Sequence, residues 1–175
     1  SATYKSKLAN DVEEFQPDLI GVTCLFTVTH PSLVDVCNEV KSLEPSWLKK
    51  GSILPLAVGG VHITHDVEKI LTEIPCVDFL FLHEAELSFL HFIEVVNQKS
   101  SPENLSQLVI NTSEGRLTFE NRSTPEPEHL NIIPAFELMD VAEYSQYGTL
   151  GSWYGFKKKG IPIATVLSNR GCRAA

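Results

Sequence analysis

The chain has 175 residues, of which 43% are apolar and 21% charged, with a formal net charge of −8. That composition is typical of a soluble globular domain plus part of another, and its acidic balance argues against nucleic acid as a main partner. No apolar run is long enough to span a bilayer, and the opening residues lack the apolar core of a signal peptide, so no membrane partner and a cytoplasmic setting are expected.

The first two-thirds alternates helical and strand-like patterns. An opening helix is expected over roughly Ala2 to Phe15, entering without a preceding strand. Asp18 to Cys24 is a continuous apolar run, the pattern of a strand covered on both faces. After the loop Leu25–His30, Pro31 suits a first helical position, and Leu33, Val36, Cys37 and Val40 form a helical stripe ending before Pro45. The second strand is read over Ile53 to Val58; Pro55 inside it cannot donate to a ladder, which implies an edge position or a late start. Gly59-Gly60 ends that strand. Thr64 and Asp66 can cap the next helix, whose buried stripe is Val67, Ile70, Leu71 and Ile74. Val77 to Leu82 reads as the third strand, and Glu84 to Asn97 as a helix apolar nearly all round and therefore well buried. Strands alternating with helices imply right-handed crossovers and a parallel sheet, here lacking its first strands.

Beyond Ser100 the pattern changes. Leu105–Asn111 and Arg116–Glu120 flank Ser113-Glu114-Gly115, a hairpin signature. Residues 121–134 contain Pro125, Pro127 and Pro134 and read as an extended linker. Residues 136–156 form an aromatic, glycine-bearing connector, and Ile161 to Leu167 is a last strand that places Cys172 on the loop after it. Cys24, Cys37 and Cys76 lie in apolar runs without a paired spacing and read as small buried hydrophobes.

In an open parallel sheet, ligands sit beyond the carboxyl ends of the strands. Three loops qualify: Thr23–His30, Gly59–His65 and His83–Glu86. They hold Thr23, Thr27, Thr29, His30, His62, Thr64, His65, His83, Glu84 and Glu86, with two glycines that allow close approach to the backbone. Each residue also has a plainer reading. Glu84 and Glu86 suit a helix N-terminus, Gly59-Gly60 can simply end a strand, and the four histidines lack the i, i+4 spacing of a zinc helix. No phosphate-binding glycine fingerprint follows any strand.

These loops also carry a family resemblance. PDLIGVTCLFTVTH, LAVGGVHIT, VDFLFLHEAELSFLHFI, a hairpin, a proline-rich linker with IIPAFELMD, and ATVLSNRGC occur in that order over roughly residues 16–175. The series resembles the cobalamin-binding domain and linker of cobalamin-dependent radical S-adenosylmethionine (SAM) enzymes, running into the start of their SAM barrel. The resemblance implies an α/β, Rossmann-like (flavodoxin-like) parallel sheet in a truncated cobalamin-binding domain over residues 1–100. A hairpin, linker and connector over 101–160 and the first piece of a radical SAM domain over 161–175 would follow. It also implies that cobalamin rests on the rim. Thr23, Leu25, Phe26, Thr27 and Thr29 would lie under the ring, and Gly59, Gly60, Val61 and His62 would flank the nucleotide tail. His83, Glu84, Ala85 and Glu86 would match a Gly-Glu-Gly-Glu turn, with His83 and Ala85 in place of its glycines. Cys172 matches the first ligand of a CxxxCxxC motif for a 4Fe–4S cluster. The cluster, S-adenosylmethionine and the rest of the barrel would belong to the full-length parent, in which cobalamin serves radical methyl transfer or a related rearrangement. The DxHxxG motif that supplies a histidine ligand to cobalt in other cobalamin proteins is absent. A non-catalytic cobalamin carrier or sensor, a methylthiotransferase-type radical SAM protein using the three upstream cysteines, and a flavodoxin-like interaction domain without cofactor remain as alternative readings.

Overall fold

The computed structural model describes residues 2–120, residue 133 and residues 135–138. The expected strand over 161–167, Cys172 and most of the linker and connector lie outside the described residues. The chain divides into two compact units, Ser1–Leu130 and Asn131–Ala175. In the second, the described structure is a single 3₁₀ turn at Phe136–Leu138.

The first unit is an α/β layer structure. Helix α1 (Ala2–Phe15) precedes strand β1 (Ile20–Thr23); α2 (His30–Ser42) leads to β2 (Leu56–Gly59); α3 (Val61–His65) and α4 (Val67–Glu73) lead to β3 (Phe79–Phe81); α5 (Glu86–Val96) leads to the hairpin β4 (Leu108–Thr112) and β5 (Gly115–Phe119). The sheet order is β1-β2-β3-β4-β5, with β1, β2 and β3 parallel and β4 antiparallel to β3. The expected parallel sheet is therefore the first three strands of a mixed sheet, and the hairpin extends it rather than standing apart. Among the described residues no helix is long and apolar enough to cross a membrane.

Side-chain alternation along these short strands splits the core in two. Leu56, Val58, Leu80 and Val109 point to one face and pack with Leu33, Cys37 and Val40 of α2 and with Ile70, Leu71 and Ile74 from the α4 segment. Ala57, Phe81 and Leu108 point to the other face and meet Phe92 of α5. The stripes on α2 and α4 are thus the ones the 3.6-residue period marks. Helix α5 departs from expectation. Ser88 and Phe92 are buried, but Phe89, Leu90 and Val96 are exposed, because among the described residues α5 is the helix that covers this face and it meets the face along one side.

Pro55 explains where β2 begins. It has no N–H to donate, so it contributes to the ladder only its carbonyl, which accepts from the Ile20 amide at 3.0 Å, and the strand starts one residue later in a central position. Asp78 secures the same end of the sheet. Its Oδ2 accepts from the Leu56 amide at 2.7 Å and from Lys41 Nζ at 2.5 Å, while Lys41 also donates to the Leu54 carbonyl. One carboxylate thereby joins α2 to the starts of β2 and β3.

Replacing Asp78 with alanine strips the half-buried Lys41 ammonium and the Leu56 amide of their shared acceptor. A loss of about 2 kcal/mol in urea unfolding is expected, with Asp78→Asn recovering part of it through its remaining carbonyl oxygen.

Candidate functional site

The carboxyl ends of β1, β2 and β3 converge on one rim, and a backbone contact sets its shape. The Cys24 amide donates to the Gly59 carbonyl at 2.9 Å, and the His62 amide donates to the Cys24 carbonyl at 3.2 Å. Between them Gly60 adopts φ +105°, and a Cβ there would lie 2.6 Å from the Cys24 carbonyl oxygen. Only glycine satisfies both conditions. The close approach lets the chain turn at once from β2 into α3, a single helical turn in a segment that reads as loop because Val61, Ile63 and Thr64 are β-branched.

The first loop is organised around one carbonyl. Phe26 O accepts from the Thr29 amide at 3.0 Å and from Thr29 Oγ1 at 2.7 Å, and the Cys24 thiol lies 3.5 Å away. A 3₁₀ turn at Thr27–Thr29 results, and α2 follows with a proline in its first turn. The turn leaves Leu25, Phe26 and Val28 exposed, and Val61 is exposed across the rim. Four apolar side chains displayed at the ends of β1 and β2 suit a flat, largely apolar ligand face.

The third loop is tied to the second by Thr64, whose hydroxyl accepts from the His83 amide at 2.8 Å and donates to the Gly60 carbonyl at 3.3 Å. Both Thr64 and Asp66 were expected as caps for the following helix; Asp66 alone takes that role, accepting from the Lys69 amide at 3.2 Å. His83 adopts φ +60°, the left-handed conformation a glycine takes without strain, whereas Ala85 has an ordinary φ of −98°. Of these two positions only the first carries a conformational demand, and His83 meets it at some cost.

The structure places Thr23, Thr27, Thr29, His83 and Glu86 exposed at the rim, with Gly59, Gly60 and Glu84 partly exposed. His62 lies beneath the rim, 3% exposed, with both ring nitrogens engaged. Its Nδ1 is 3.2 Å from Thr27 Oγ1, and its Nε2 is 2.8 Å from Nδ1 of His30, itself 6% exposed. His30 Nε2 lies 2.8 Å from Glu73 Oε2. Burial is the main cause that pushes His62 below the usual histidine range, with His30, Lys69 and His65 acting in the same direction and Asp66 opposing them. His62 therefore stays neutral at pH 7. What His62 offers the rim is a hydrogen bond to Thr27. The His30–Glu73 contact, spanning 43 residues, carried no sequence signal.

Cys24 and Cys37 are buried and Cys76 partly so. Burial pushes the Cys37 thiol up to about 12 and raises Cys76 as well. Among the described residues no three His, Cys, Asp or Glu side chains converge as a metal site. Cys24 and Cys37 thus behave as small core side chains, and Cys76 does so in part.

Parallel strands, crossover helices and exposed apolar side chains at the strand ends define an α/β domain of the open-sheet kind. The chain belongs to the B12-binding domain family, whose sequence profile matches residues 2–93. It is 23% identical over 171 residues to a protein described as an uncharacterized methyltransferase, PH0819, of Pyrococcus horikoshii, covering 95% of this chain and 32% of that protein. The chain therefore spans about a third of that relative's length. Among solved structures, it is similar to the cobalamin-dependent S-adenosylmethionine radical enzyme OxsB with aqua-cobalamin and S-adenosylmethionine bound. That match has 14% identity and a TM-score of 0.48 and covers 69% of this chain and 16% of the other. The apo form of OxsB matches with a TM-score of 0.45 at the same identity and coverage.

The two unusual backbone positions on the rim call for opposite results. Gly60→Ala should destabilise the domain by about 3 kcal/mol, since it combines a forbidden φ with a clash against backbone. His83→Gly should stabilise it by about 0.5–1 kcal/mol by relieving the left-handed strain. Chemical denaturation of the two variants beside the parent chain measures both.

Proposed function

We propose that this domain binds cobalamin on the rim formed by Thr23–His30, Gly59–His65 and His83–Glu86, and holds it for use by a radical SAM enzyme acting in methyl transfer or a related rearrangement. Membership of the B12-binding family supports the cofactor. The observation that supports its location is the exposed apolar set Leu25, Phe26, Val28 and Val61 at the carboxyl ends of β1 and β2.

The residues present fit the cofactor. The corrin macrocycle is broad and apolar on its faces and fringed by carboxamides, and the rim pairs exposed apolar side chains with the exposed threonines Thr23, Thr27 and Thr29. Leu25, Phe26 and Val28 would lie under the ring and exclude water from it. Gly59, Gly60 and Val61 would flank the tail, and the His83–Glu86 turn would close the third side. His30 and His62 are buried and hydrogen-bonded to each other, so neither has a free ring nitrogen to offer a metal. The domain's part is to orient the cofactor, which when bound supplies a transferable methyl group. The 4Fe–4S cluster, S-adenosylmethionine and the barrel that uses them belong to the proposed parent enzyme, with Cys172 as the first cluster ligand. The methyltransferase description of the archaeal relative accords with this reading.

The chain mixed with hydroxocobalamin and desalted should retain corrin absorbance at about one equivalent. Leu25→Asp, which puts a charge under the ring, should weaken binding by about tenfold or more, while an exposed change outside the rim such as Glu114→Gln should not. Loss of all corrin absorbance from the folded parent chain would contradict the proposal.

A further inference from the structure

Thr27, His62, His30 and Glu73 form an unbroken chain of hydrogen-bonding groups. It runs from the exposed rim, through two buried imidazoles, to a half-exposed carboxylate on α4. The separations are 3.2, 2.8 and 2.8 Å, and the two rings meet edge-on at 80° with centroids 5.0 Å apart.

With His30 neutral, the direction of every bond follows from its far end. An ionised carboxylate only accepts, so His30 must donate from Nε2. A neutral His30 then has a bare Nδ1, which can only accept, so His62 must donate from Nε2. A neutral His62 in turn has a bare Nδ1 facing Thr27, so the Thr27 hydroxyl proton points inward. The opposite assignment would set the lone pair of His30 Nε2 against the carboxylate. The lowered protonation range of His62 accords with a neutral ring there at pH 7.

We propose that this relay fixes Thr27 as a hydrogen-bond acceptor toward the cofactor at neutral pH, and that one proton reverses it. Resting on the cobalamin reading above, the partner it selects is a neutral donor of the kind that cobalamin carries in its peripheral carboxamide N–H groups. The proton count closes. With one proton taken from water, His30 becomes an imidazolium donating from Nε2 to Glu73 and from Nδ1 to His62. His62 then donates from Nδ1 to Thr27 Oγ1, and the Thr27 hydroxyl proton turns outward. No heavy atom needs to move. The groups that bear on the two rings are Glu73 and Lys69 of α4, Asp66 at its start, His65 of α3 and Thr27. Thr27 contacts the ligand, whereas His62, His30 and Glu73 act through it as positioning residues.

Two measurements on the 175-residue chain test this. Long-range nitrogen-15 spectra of histidine-labelled protein without ligand should show His30 and His62 as the Nε2–H tautomer at pH 7.5. In acid, His30 should become doubly protonated and His62 should move to Nδ1–H. Glu73→Gln, a change on a half-exposed side chain, should leave the chain folded but mix the His62 tautomers. The second measurement is affinity for cyanocobalamin, which has no axial water to titrate. It should fall about fivefold between pH 7.5 and the acid form, a change the size of one hydrogen bond. Thr27→Val should bind at the weaker level at both pH values, and Thr27→Ser should restore the difference. An Nδ1–H tautomer of His62 at pH 7.5 would overturn the relay whether or not cobalamin binds. Correct tautomers with pH-independent affinity would overturn the contact through Thr27. Absence of binding at any pH, with correct tautomers, would overturn that contact together with the cobalamin reading, while the relay itself would stand.

Discussion

The close approach of Gly60 to the Cys24 carbonyl is the contact on which the rest of the rim depends. It brings the first residues after β2 within hydrogen-bonding reach of the last residue of the β1 run, so two loops that are distant in sequence share one backbone lattice. His62 enters beneath the rim because its own amide is held there, and its ring then reaches Thr27 on one side and His30 on the other. The third loop joins through Thr64, which is placed by the same helical turn. A missing side chain at one position therefore governs the placement of all three loops.

Much of this fold is legible in the sequence. The stripes Leu33, Cys37, Val40 and Ile70, Leu71, Ile74 mark the buried faces of α2 and α4 because each packs against a sheet surface and must follow the helical period. The hairpin turn follows from Ser113-Glu114-Gly115, with Gly115 at φ +139°. Strand ends are less legible. β2 and β3 are shorter than their apolar runs, since Pro55 withholds a donor and Val77 belongs to the turn before β3. The exposed side of α5 is not legible at all, because an all-round apolar helix gives no sign of how many layers will cover it.

The candidate site divides in the same way. Its location follows from the general rule that ligands sit beyond the carboxyl ends of parallel strands, and the three loops can be chosen on that ground alone. What each residue does there depends on long-range contacts. His62 and His83 look alike as loop histidines, yet one is buried in a hydrogen-bonded chain and the other is exposed in a left-handed turn. Glu73 is an ordinary polar residue of an amphipathic helix until His30, 43 residues away, meets its carboxylate. The composition of the three loops is local, but the polarity of Thr27 is a property of the folded chain.

The two ends of the sheet offer contrasting surfaces. At the amino ends of β2 and β3, Lys41, Asp78 and Pro55 line a cleft of about 710 Å³ whose polar groups are committed to holding strands together. At the carboxyl ends, the rim displays exposed apolar side chains beside hydroxyls that also hold its loops in place. Amide hydrogen exchange on the chain with and without saturating cobalamin compares the two directly. The account predicts slowed exchange in residues 24–30, 60–65 and 82–86, with no change at the amino ends of β2 and β3. Protection confined to the 710 Å³ cleft, or absent from all three rim segments, would contradict it.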